Sequence, residues 1–324
     1  MVLEGEPHAG THATGRSAAV LTTTTGSAQV RRLTADSRPF FVDPPDGFGE
    51  APLARPRAVL RVGTDERWPG TERLTASEAR RLVPALRPEA AERAVLEPDG
   101  LDIDVDALLQ GFLRGARRGG AAVVTGIRVE ALGRRDGRWR LTTTAGDVEA
   151  AVVVDAAGAW ADDVARAAGL RPLGLRPMRR TAFLFRGPDG CASWPLVMDG
   201  AERWYVKPDA GLLLGSPADE TPSGPCDARP EEIDVALGIE RICGALDLGI
   251  RSVHRAWAGL RTFAPDRDPV VGRDPVEQTF VWLAGQGGYG IKTAPALGRL
   301  AADAALGRAT PPELSPARLA TAAR

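Results

Sequence analysis

One segment near the end of the chain constrains the fold more than any other: QTFVWLAGQGGYGIKTAPALGRLAADAAL, beginning at Gln278. An apolar strand leads into four glycines within the six positions from Gly285 to Gly290, and a helix follows. Such a turn opens bare backbone to a ligand, and the helix start adds unpaired N–H groups and a positive dipole end. We predict ligand binding here; a plain loop is the alternative. The candidate residues are Gly287, Gly288, Tyr289, Gly290, Ile291 and Lys292.

Two further segments share this order of strand, small-residue turn and helix. In VVVDAAGAW, Ala157 and Gly158 leave the backbone open and Trp160 could cover an adenine, whereas close helix–strand packing is the alternative. At the start of the chain, Glu4 follows the strand-like VL, where a dinucleotide-binding unit places an acid against a ribose. A surface glutamate is the alternative there. The polar turn that follows could contact a phosphate or the edge of a ring, and a solvated loop is the alternative. It consists of Thr14, Gly15, Arg16 and Ser17.

Composition excludes several classes of function. The net charge of -1 gives no field that favours nucleic acid or an acidic membrane. Three widely spaced cysteines and three scattered histidines argue against a disulfide framework and against a metal site. No run approaches the ~20 apolar residues of a membrane span, and no signal peptide is visible, so we predict a cytoplasmic location. Lysine occurs only as Lys207 and Lys292 in an arginine-rich chain, which draws attention to both.

The remaining patterns indicate a mixed fold. Residues 121–154 read as a strand followed by a β-meander, with turns at Asp136–Gly137 and Gly146–Asp147. The middle of the chain alternates strand-like runs such as TAFLF and RWYVKP with turns, and one helix is predicted from Glu231 to Leu246. We therefore predict an α/β plus α+β chain whose nucleotide-binding part is assembled from separate segments.

Taken in order, the motifs resemble the D-amino-acid oxidase-like (DAO) family of FAD-dependent oxidoreductases, and the match covers nearly the whole chain. The matching stretches are Glu4, HATGRSAA (12–19), VDAAGAW (154–160), WAGLRTFAPDRDPVVG (257–272) and GQGGYGI (285–291). WAGLRTF, YVKPDAG and PLGLRPMRR look most like the D-arginine dehydrogenase branch. The family begins with strand–GxGxxG–helix, which is absent here, so about 30 residues would precede Met1 if a misplaced start or truncation removed that unit.

The resemblance implies an FAD-binding, Rossmann-like domain of the glutathione-reductase type, truncated at its N-terminus, over residues 1–40, 95–175 and 256–324. A strand-rich antiparallel substrate domain would occupy residues 41–94 and 176–255. The cofactor-binding set would also include Val129. The residues from Gly287 to Lys292 would then meet the pyrimidine edge of the flavin, with Arg16 and Ser17 near the ring.

The resemblance also implies an activity. The flavin of this family takes a hydride from a small amine or D-amino acid, and the resulting imine hydrolyses to an oxo acid. Arg261 and Arg180 would clamp the substrate carboxylate, with Tyr205 over the substrate; Arg179 is adjacent, and an ion pair of Arg261 with a nearby aspartate is the alternative.

The substrate is expected to differ from D-arginine, because VLTTTTG follows GRSAA and RAVLRV carries no acid near Val59. A smaller or less cationic side chain is therefore predicted. A flavin-free, non-enzymatic remnant and a flavoenzyme that oxidises a 2-hydroxy acid remain the alternatives. The electron acceptor is left open.

Overall fold

The structure is a computed structural model and describes residues 1–320. The helices are α1 (Ala28–Val42), α2 (Ala76–Leu82), α3 (Pro88–Ala91), α4 (Val105–Arg118), α5 (Ala161–Ala167), α6 (Glu232–Ala245), α7 (Gly290–Ala305) and α8 (Ala317–Ala320). The strands are β1 (Val2–Glu4), β2 (Val20–Leu21), β3 (Ala54–Pro56), β4 (Val59–Val62), β5 (Glu72–Leu74), β6 (Ala94–Glu97), β7 (Leu101–Ile103), β8 (Val123–Thr125), β9 (Val129–Arg135), β10 (Arg138–Thr143), β11 (Gly146–Ala150), β12 (Val153–Asp155), β13 (Arg176–Phe185), β14 (Leu196–Asp199), β15 (Tyr205–Asp209), β16 (Leu212–Ser216), β17 (Thr221–Pro222), β18 (Arg255–Phe263), β19 (Val270–Arg273) and β20 (Phe280–Ala284).

Short parallel pairings organise one part of the molecule. Strand β1 pairs with β8, and β12 pairs with β20, both in parallel. A 3-10 turn over Gly158–Trp160 leads from β12 into α5, and the glycine turn after β20 leads into α7. Trp139, Phe280 and Trp282 fill the core beneath these strands. The α/β part of the predicted fold class is confirmed.

The meander β9–β10–β11 forms as predicted, but one of its turns is displaced. Asp136 and Gly137 both take positive φ, 50° and 78°, as the predicted two-residue hairpin requires. The second turn was predicted at Gly146–Asp147 and is wrong by two residues, because Gly146 already pairs with Thr143 in the ladder. The turn there is closed by Thr143, whose hydroxyl donates to the Gly146 carbonyl at 2.5 Å.

Local signals place several helix ends. Thr75 and Glu78 form a capping box at the start of α2, and Asp104 caps α4 by accepting a hydrogen bond from the Ala107 amide at 2.9 Å. Pro39 lies inside α1, which continues for three residues past it and ends where the Asp43 amide donates to the Pro39 carbonyl at 2.8 Å. The proline thus precedes the end of the helix by about one turn.

A large sheet has the order β17-β13-β16-β15-β14-β4-β6-β5. Strand β18 also pairs with β13, along the edge opposite to β16. Its neighbours run antiparallel except β4 and β14, which pair in parallel. Helices α2, α3 and α6 cover one face, where Phe183, Phe185 and Ile242 are completely buried. The predicted strand-rich antiparallel part is therefore present. The domain boundaries stay a prediction, and the last four residues of the segment 256–324 lie outside the described residues.

Candidate functional site

The face of the large sheet that turns away from α6 carries the predicted substrate residues. Residues paired across neighbouring strands project to the same side, and alternate residues along a strand project to opposite sides. Met178 pairs with Arg261, and Arg180 pairs with Gly259, so Arg180 and Arg261 share one face. The register through Leu184, Leu214 and Lys207 puts Tyr205 on that same face. The structure therefore brings Arg180, Arg261 and Tyr205 together, and we call this side of the sheet the site face.

Arg261 has a guanidinium without a protein partner. Among residues 1–320 no side chain or carbonyl accepts a hydrogen bond from it. The alternative of an ion pair with a nearby aspartate is not realised, since Asp266 binds Arg318 and Asp268 accepts from Ser27. A Cβ built on Gly288 would lie 2.3 Å from Arg261 Nη1, so the glycine gives the guanidinium its room. An unpaired cation of this kind is a candidate for carboxylate binding.

Arg180 and Arg179 are separated by the pleat. Arg180 Nε donates to the Asp219 carbonyl at 2.5 Å, and its Nη2 lies 3.2 Å from Glu220 Oε1. Burial, and then the charge of Arg261, lower the pKa of Arg180 to about 10. Arg179 points to the opposite face, where it binds Glu231 and Asp234. The ambiguity between the two arginines is resolved in favour of Arg180 as the one beside Arg261.

Two tyrosines complete this group. Within the described residues, the hydroxyls of Tyr205 and Tyr289 make no hydrogen bond. Tyr205 packs against the apolar cluster of Val59, Leu196 and Met198. Burial raises the pKa of Tyr289, and the charge of Arg261 acts on it in the opposite sense. The site face thus combines free hydroxyls, a free guanidinium and apolar walls.

The glycine turn before α7 is packed tightly on one side. Gly287 has a φ of 56° and donates its amide to the Thr262 carbonyl at 2.8 Å, and a Cβ there would lie 2.3 Å from the Phe263 ring. Close packing against β18 therefore accounts for two of the glycines. The turn nevertheless delivers Tyr289 to the site face and starts α7 at Gly290 with Ile291 next to it.

Lys292 points into a loop of threonines. Its Nζ donates to the Thr22 carbonyl at 2.8 Å and to Thr25 Oγ1 at 2.7 Å. Burial lowers the pKa of Lys292 to about 7, although Glu97 and Glu202 act to raise it. Lys207, the other lysine, forms an ion pair with Asp102 at 2.9 Å. The ammonium of Lys292 is therefore held by neutral oxygens rather than by a carboxylate.

Sequence reasoning missed three charged residues beside this loop: Glu97, Arg61 and Glu202. The carboxylate of Glu97 accepts hydrogen bonds from the hydroxyls of Thr22, Thr23 and Thr24. Arg61 is buried and lies 3.3 Å from Glu202. The available signals were the unbroken run TTTT and an arginine within the apolar strand RAVLRV.

The predicted nucleotide-contacting residues gather near the ends of β1 and β12. Glu4 accepts the Glu6 amide at 2.9 Å, while His12 binds Glu6 and lies 4.9 Å from the Trp160 ring, centroid to centroid. The turn containing Thr14 and Gly15 lies alongside, where a Cβ on Gly15 would meet the Gly10 carbonyl at 2.4 Å. Val129 begins β9 and packs against the neighbouring core.

Arg16 and Ser17 are used by the protein itself. Arg16 donates to the carbonyls of Ala228 and Ala258, at 2.9 and 2.8 Å, and to Asp227. Ser17 Oγ accepts the Ala19 amide at 3.1 Å. These contacts fasten the turn to β18, and the position of Arg16 and Ser17 near the flavin ring stays a prediction.

A buried carboxylate at the end of β12 fits a bound nucleotide cofactor. Asp155 Oδ1 accepts the Ala157 amide at 3.0 Å, but Oδ2 has no partner within residues 1–320. Burial raises the pKa of Asp155 to about 7. Gly158 has a φ of 59°, and a Cβ built on it would meet nothing within 4 Å. An unpaired acid beside open backbone at a strand end is a suitable place for polar ligand groups.

The comparison with known families decides the assignment. The family model described as FAD dependent oxidoreductase, DAO, matches residues 1–304. The chain belongs to the DAO family of FAD-dependent oxidoreductases. The predicted family and the predicted cofactor, FAD, are therefore confirmed.

Relatives within the DAO family cover different shares of the chain. An uncharacterized oxidoreductase of Bacillus subtilis, YurR, is 28% identical over 75% of this chain and 65% of its own length. A glycine oxidase of Bacillus licheniformis is 29% identical over 64% of this chain and 56% of its own length. The chain spans less than two thirds of either relative.

A solved glycine oxidase structure from Geobacillus kaustophilus shows the same fold, with a TM-score of 0.82 and 22% identity. The alignment covers 97% of this chain and 90% of that one. The predicted fold class is confirmed by this similarity. Within residues 1–320 no helix combines the length and apolar character needed to cross a membrane, and no acidic, histidine or cysteine cluster is placed to hold a metal ion.

Proposed function

We propose that this oxidoreductase oxidises the C–N bond of a small amine or amino acid to an imine. Water then hydrolyses the imine to a carbonyl compound, an oxo acid when the substrate is an amino acid, and releases ammonia or an amine. The observation that carries the proposal is the guanidinium of Arg261, which has no partner among residues 1–320 and lies on the same sheet face as Arg180 and the Tyr205 hydroxyl. Bound FAD would supply the hydride acceptor, while the protein supplies binding and orientation.

The geometry supports a role for each of these three residues. The planar fork of Arg261 suits a carboxylate held through two parallel hydrogen bonds, and Arg180 adds a second positive charge beside it. The Tyr205 hydroxyl is free to donate to the substrate. Val59, Met198 and the ring of Tyr205 form an apolar wall that excludes water from the reacting carbon.

Cofactor contacts are proposed for the residues of the two strand ends. Asp155, Gly158 and Trp160 lie where unpaired polar and open backbone groups would meet a nucleotide. Tyr289 and Lys292 border the site from the start of α7. Arg16 and Ser17 would act by holding their turn, since their own polar groups are already engaged.

The test begins with the absorbance spectrum of the purified protein, in which flavin bands are expected. A screen with an artificial electron acceptor then compares glycine, N-methyl amines, both enantiomers of neutral amino acids, and the matching 2-hydroxy acids. Amine turnover is expected. A spectrum without flavin would favour the non-enzymatic alternative, and turnover of hydroxy acids alone would favour the other flavoenzyme.

Arg261→Met tests the clamp. We expect kcat/KM for the best amine to fall by about a hundredfold or more, because a charge-assisted bidentate contact is lost. The matched control is Arg255→Met, an exposed arginine at the far end of the same strand, which should leave kcat/KM within about threefold. Equal losses in the two variants would remove Arg261 from the site.

A further inference from the structure

Arg61 lies in one row with Tyr205 across three neighbouring strands. Tyr205 of β15 pairs with Met198 of β14, and Met198 pairs with Arg61 of β4. Adjacent strands are about 4.8 Å apart, so the Cα atoms of Tyr205 and Arg61 are separated by roughly 10 Å. Both side chains project from the site face. Arg61 therefore borders the space above Tyr205 from the side opposite to Arg261.

The guanidinium of Arg61 is buried but only partly compensated. Its side chain is 3% exposed. Nε and Nη2 contact Thr24 Oγ1 at 3.2 and 3.1 Å, and Nη2 reaches the Thr24 carbonyl at 3.2 Å. The guanidinium carbon lies 4.7 Å from the centroid of the Trp68 ring, and among the described residues no acceptor meets Nη1. A guanidinium offers five donors, and a buried one normally finds strong acceptors for them.

The acid next to Arg61 is a weak partner. Glu202 touches it through a single oxygen at 3.3 Å, and the Glu202 side chain is 41% exposed. Glu202 sits on the turn between β14 and β15, close to solvent, with a positive φ of 58°. A ligand carboxylate could accept hydrogen bonds from Nη1 and Nη2 together. The Glu202 side chain is exposed enough to turn into water when such a ligand replaces it.

The second acid nearby is already committed. Glu97 accepts four hydrogen bonds from the loop, three from hydroxyls and one from the Thr23 amide at 2.7 Å. Lys292 adds another buried cation that has only neutral oxygens as partners. The far end of the site face thus holds two buried cations, with Glu202 as the one replaceable counter-charge in the described structure.

We propose that Arg61 binds a second carboxylate of the substrate, so that the preferred amine is an amino or imino dicarboxylate. This inference rests on the proposed function. One carboxylate lies at Arg261 and Arg180, the C–N bond lies beside Tyr205, and the second carboxylate lies at Arg61 in place of Glu202. Arg61 is then the residue that determines specificity.

The binding test uses ligands that cannot be oxidised. Glutarate and its monoamide, glutaramate, have the same length and differ by one charge. In calorimetric titrations of the flavin-containing protein we expect glutarate to bind at least about tenfold more tightly. Arg61→Gln should bring the two affinities to within about twofold. Equal affinities in the wild type, or a preference retained in Arg61→Gln, would overturn the proposal.

A second variant keeps the test decisive if Arg61→Gln does not fold. Glu202→Gln removes the competing charge from an exposed side chain and should strengthen glutarate binding several-fold while leaving glutaramate nearly unchanged. Weaker or unaltered glutarate binding in Glu202→Gln would contradict the proposed exchange of partners.

Turnover separates this inference from the proposed function. Amine dicarboxylates should show a higher kcat/KM than their monoamides in the wild type and no such advantage in Arg61→Gln. If neutral and acidic amines are turned over equally well, Arg61 has no such role and the proposed function stands. If no amine is turned over, the proposed function fails, while the glutarate titrations still decide whether Arg61 binds a carboxylate.

Discussion

The two faces of the large sheet are built from the same strands and obey different rules. On the face covered by α6, Leu60, Val62 and Phe183 are buried among other apolar side chains. On the site face, Arg61, Arg180 and Tyr205 keep polar groups that have no hydrogen-bond partner among residues 1–320. One pleat therefore separates a packed core from a set of unsatisfied donors.

The difference shows where the chain gains stability and where it gives it up. Burying apolar side chains contributes about 25 cal/mol for each Å² removed from water. A buried polar group without a partner costs about 1–3 kcal/mol. The apolar face covered by α6, here called the core face, thus stabilises a sheet whose site face keeps unpaired polar groups. Substitutions on the core face should change stability, and substitutions on the site face should change binding and turnover.

The largest expected contrast is the pH dependence of the free energy of unfolding that Lys292 contributes. Burial lowers the pKa of Lys292 from 10.5 to about 7. Between these values the unfolded chain holds a proton that the folded protein lacks, so the free energy of unfolding rises with pH, by about 5 kcal/mol in total. Below about pH 7 both states are charged and the full cost of burial applies.

Urea unfolding of the wild type and of Lys292→Met, from about pH 7 to 10.5, isolates the contribution of the Lys292 ammonium to stability. The stability of the wild type relative to Lys292→Met should rise from about pH 7 to 10.5. Phe183→Leu, on the apolar face, is the control and should shift stability equally at every pH. A constant difference between wild type and Lys292→Met would show that the ammonium is not buried as described.

The next largest effect tests the core face. Phe183 is fully buried, with its ring 5.8 Å from that of Phe185 and close against Gly215 and Gly238. Phe183→Ala should lower the free energy of unfolding by about 4 kcal/mol, because it loses burial and leaves a cavity. Leu184→Ala, the next residue and on the site face, is only partly buried and should cost about 1 kcal/mol. Chemical denaturation measures both, and similar losses would erase the distinction between the faces.

Much of this arrangement could be predicted from local sequence. Runs such as TAFLF indicated strands, and the Asp136–Gly137 pair marked a hairpin, because these signals act within a few residues. The ordered motifs identified the family. The position of Arg261 beside Tyr205 followed only from that resemblance, since the pairing of β13 with β18 joins residues about 80 positions apart.

The parts that could not be predicted depend on contacts between distant segments. Glu97, which is more than 70 positions away, binds three of the four threonines. Lys292 reaches Thr22 and Thr25 from a helix near the other end of the chain. The only local signal at Arg61 is its place within the apolar run RAVLRV, and the face to which it projects is fixed only when β4 lies between β14 and β6. The contacts of Arg16 with the carbonyls of Ala228 and Ala258 also join segments more than 200 positions apart, and its position near the flavin ring stays a prediction.

The closest comparison between the two faces uses adjacent residues, Arg179 and Arg180. Arg179 faces α6 and binds Asp234, whose side chain is 12% exposed, at 2.9 Å. Arg179→Met leaves that carboxylate unpaired and should lower the free energy of unfolding by about 2 kcal/mol, less than for a fully buried pair because water reaches the site. Since Arg179 does not reach the site face, kcat/KM should stay within about twofold of the wild type.

Arg180→Met should give the reverse pattern. Burial and Arg261 already oppose the charge of Arg180 and lower its pKa to about 10, so its removal relieves repulsion while losing one carbonyl contact and the bond to Glu220. We expect a change in unfolding free energy below about 1 kcal/mol and a fall in carboxylate affinity of about tenfold. Denaturation and ligand titration on both variants check this. A loss of binding in Arg179→Met with stability retained would mean that the two faces had been assigned the wrong way round, because only the strand pleat separates these neighbours.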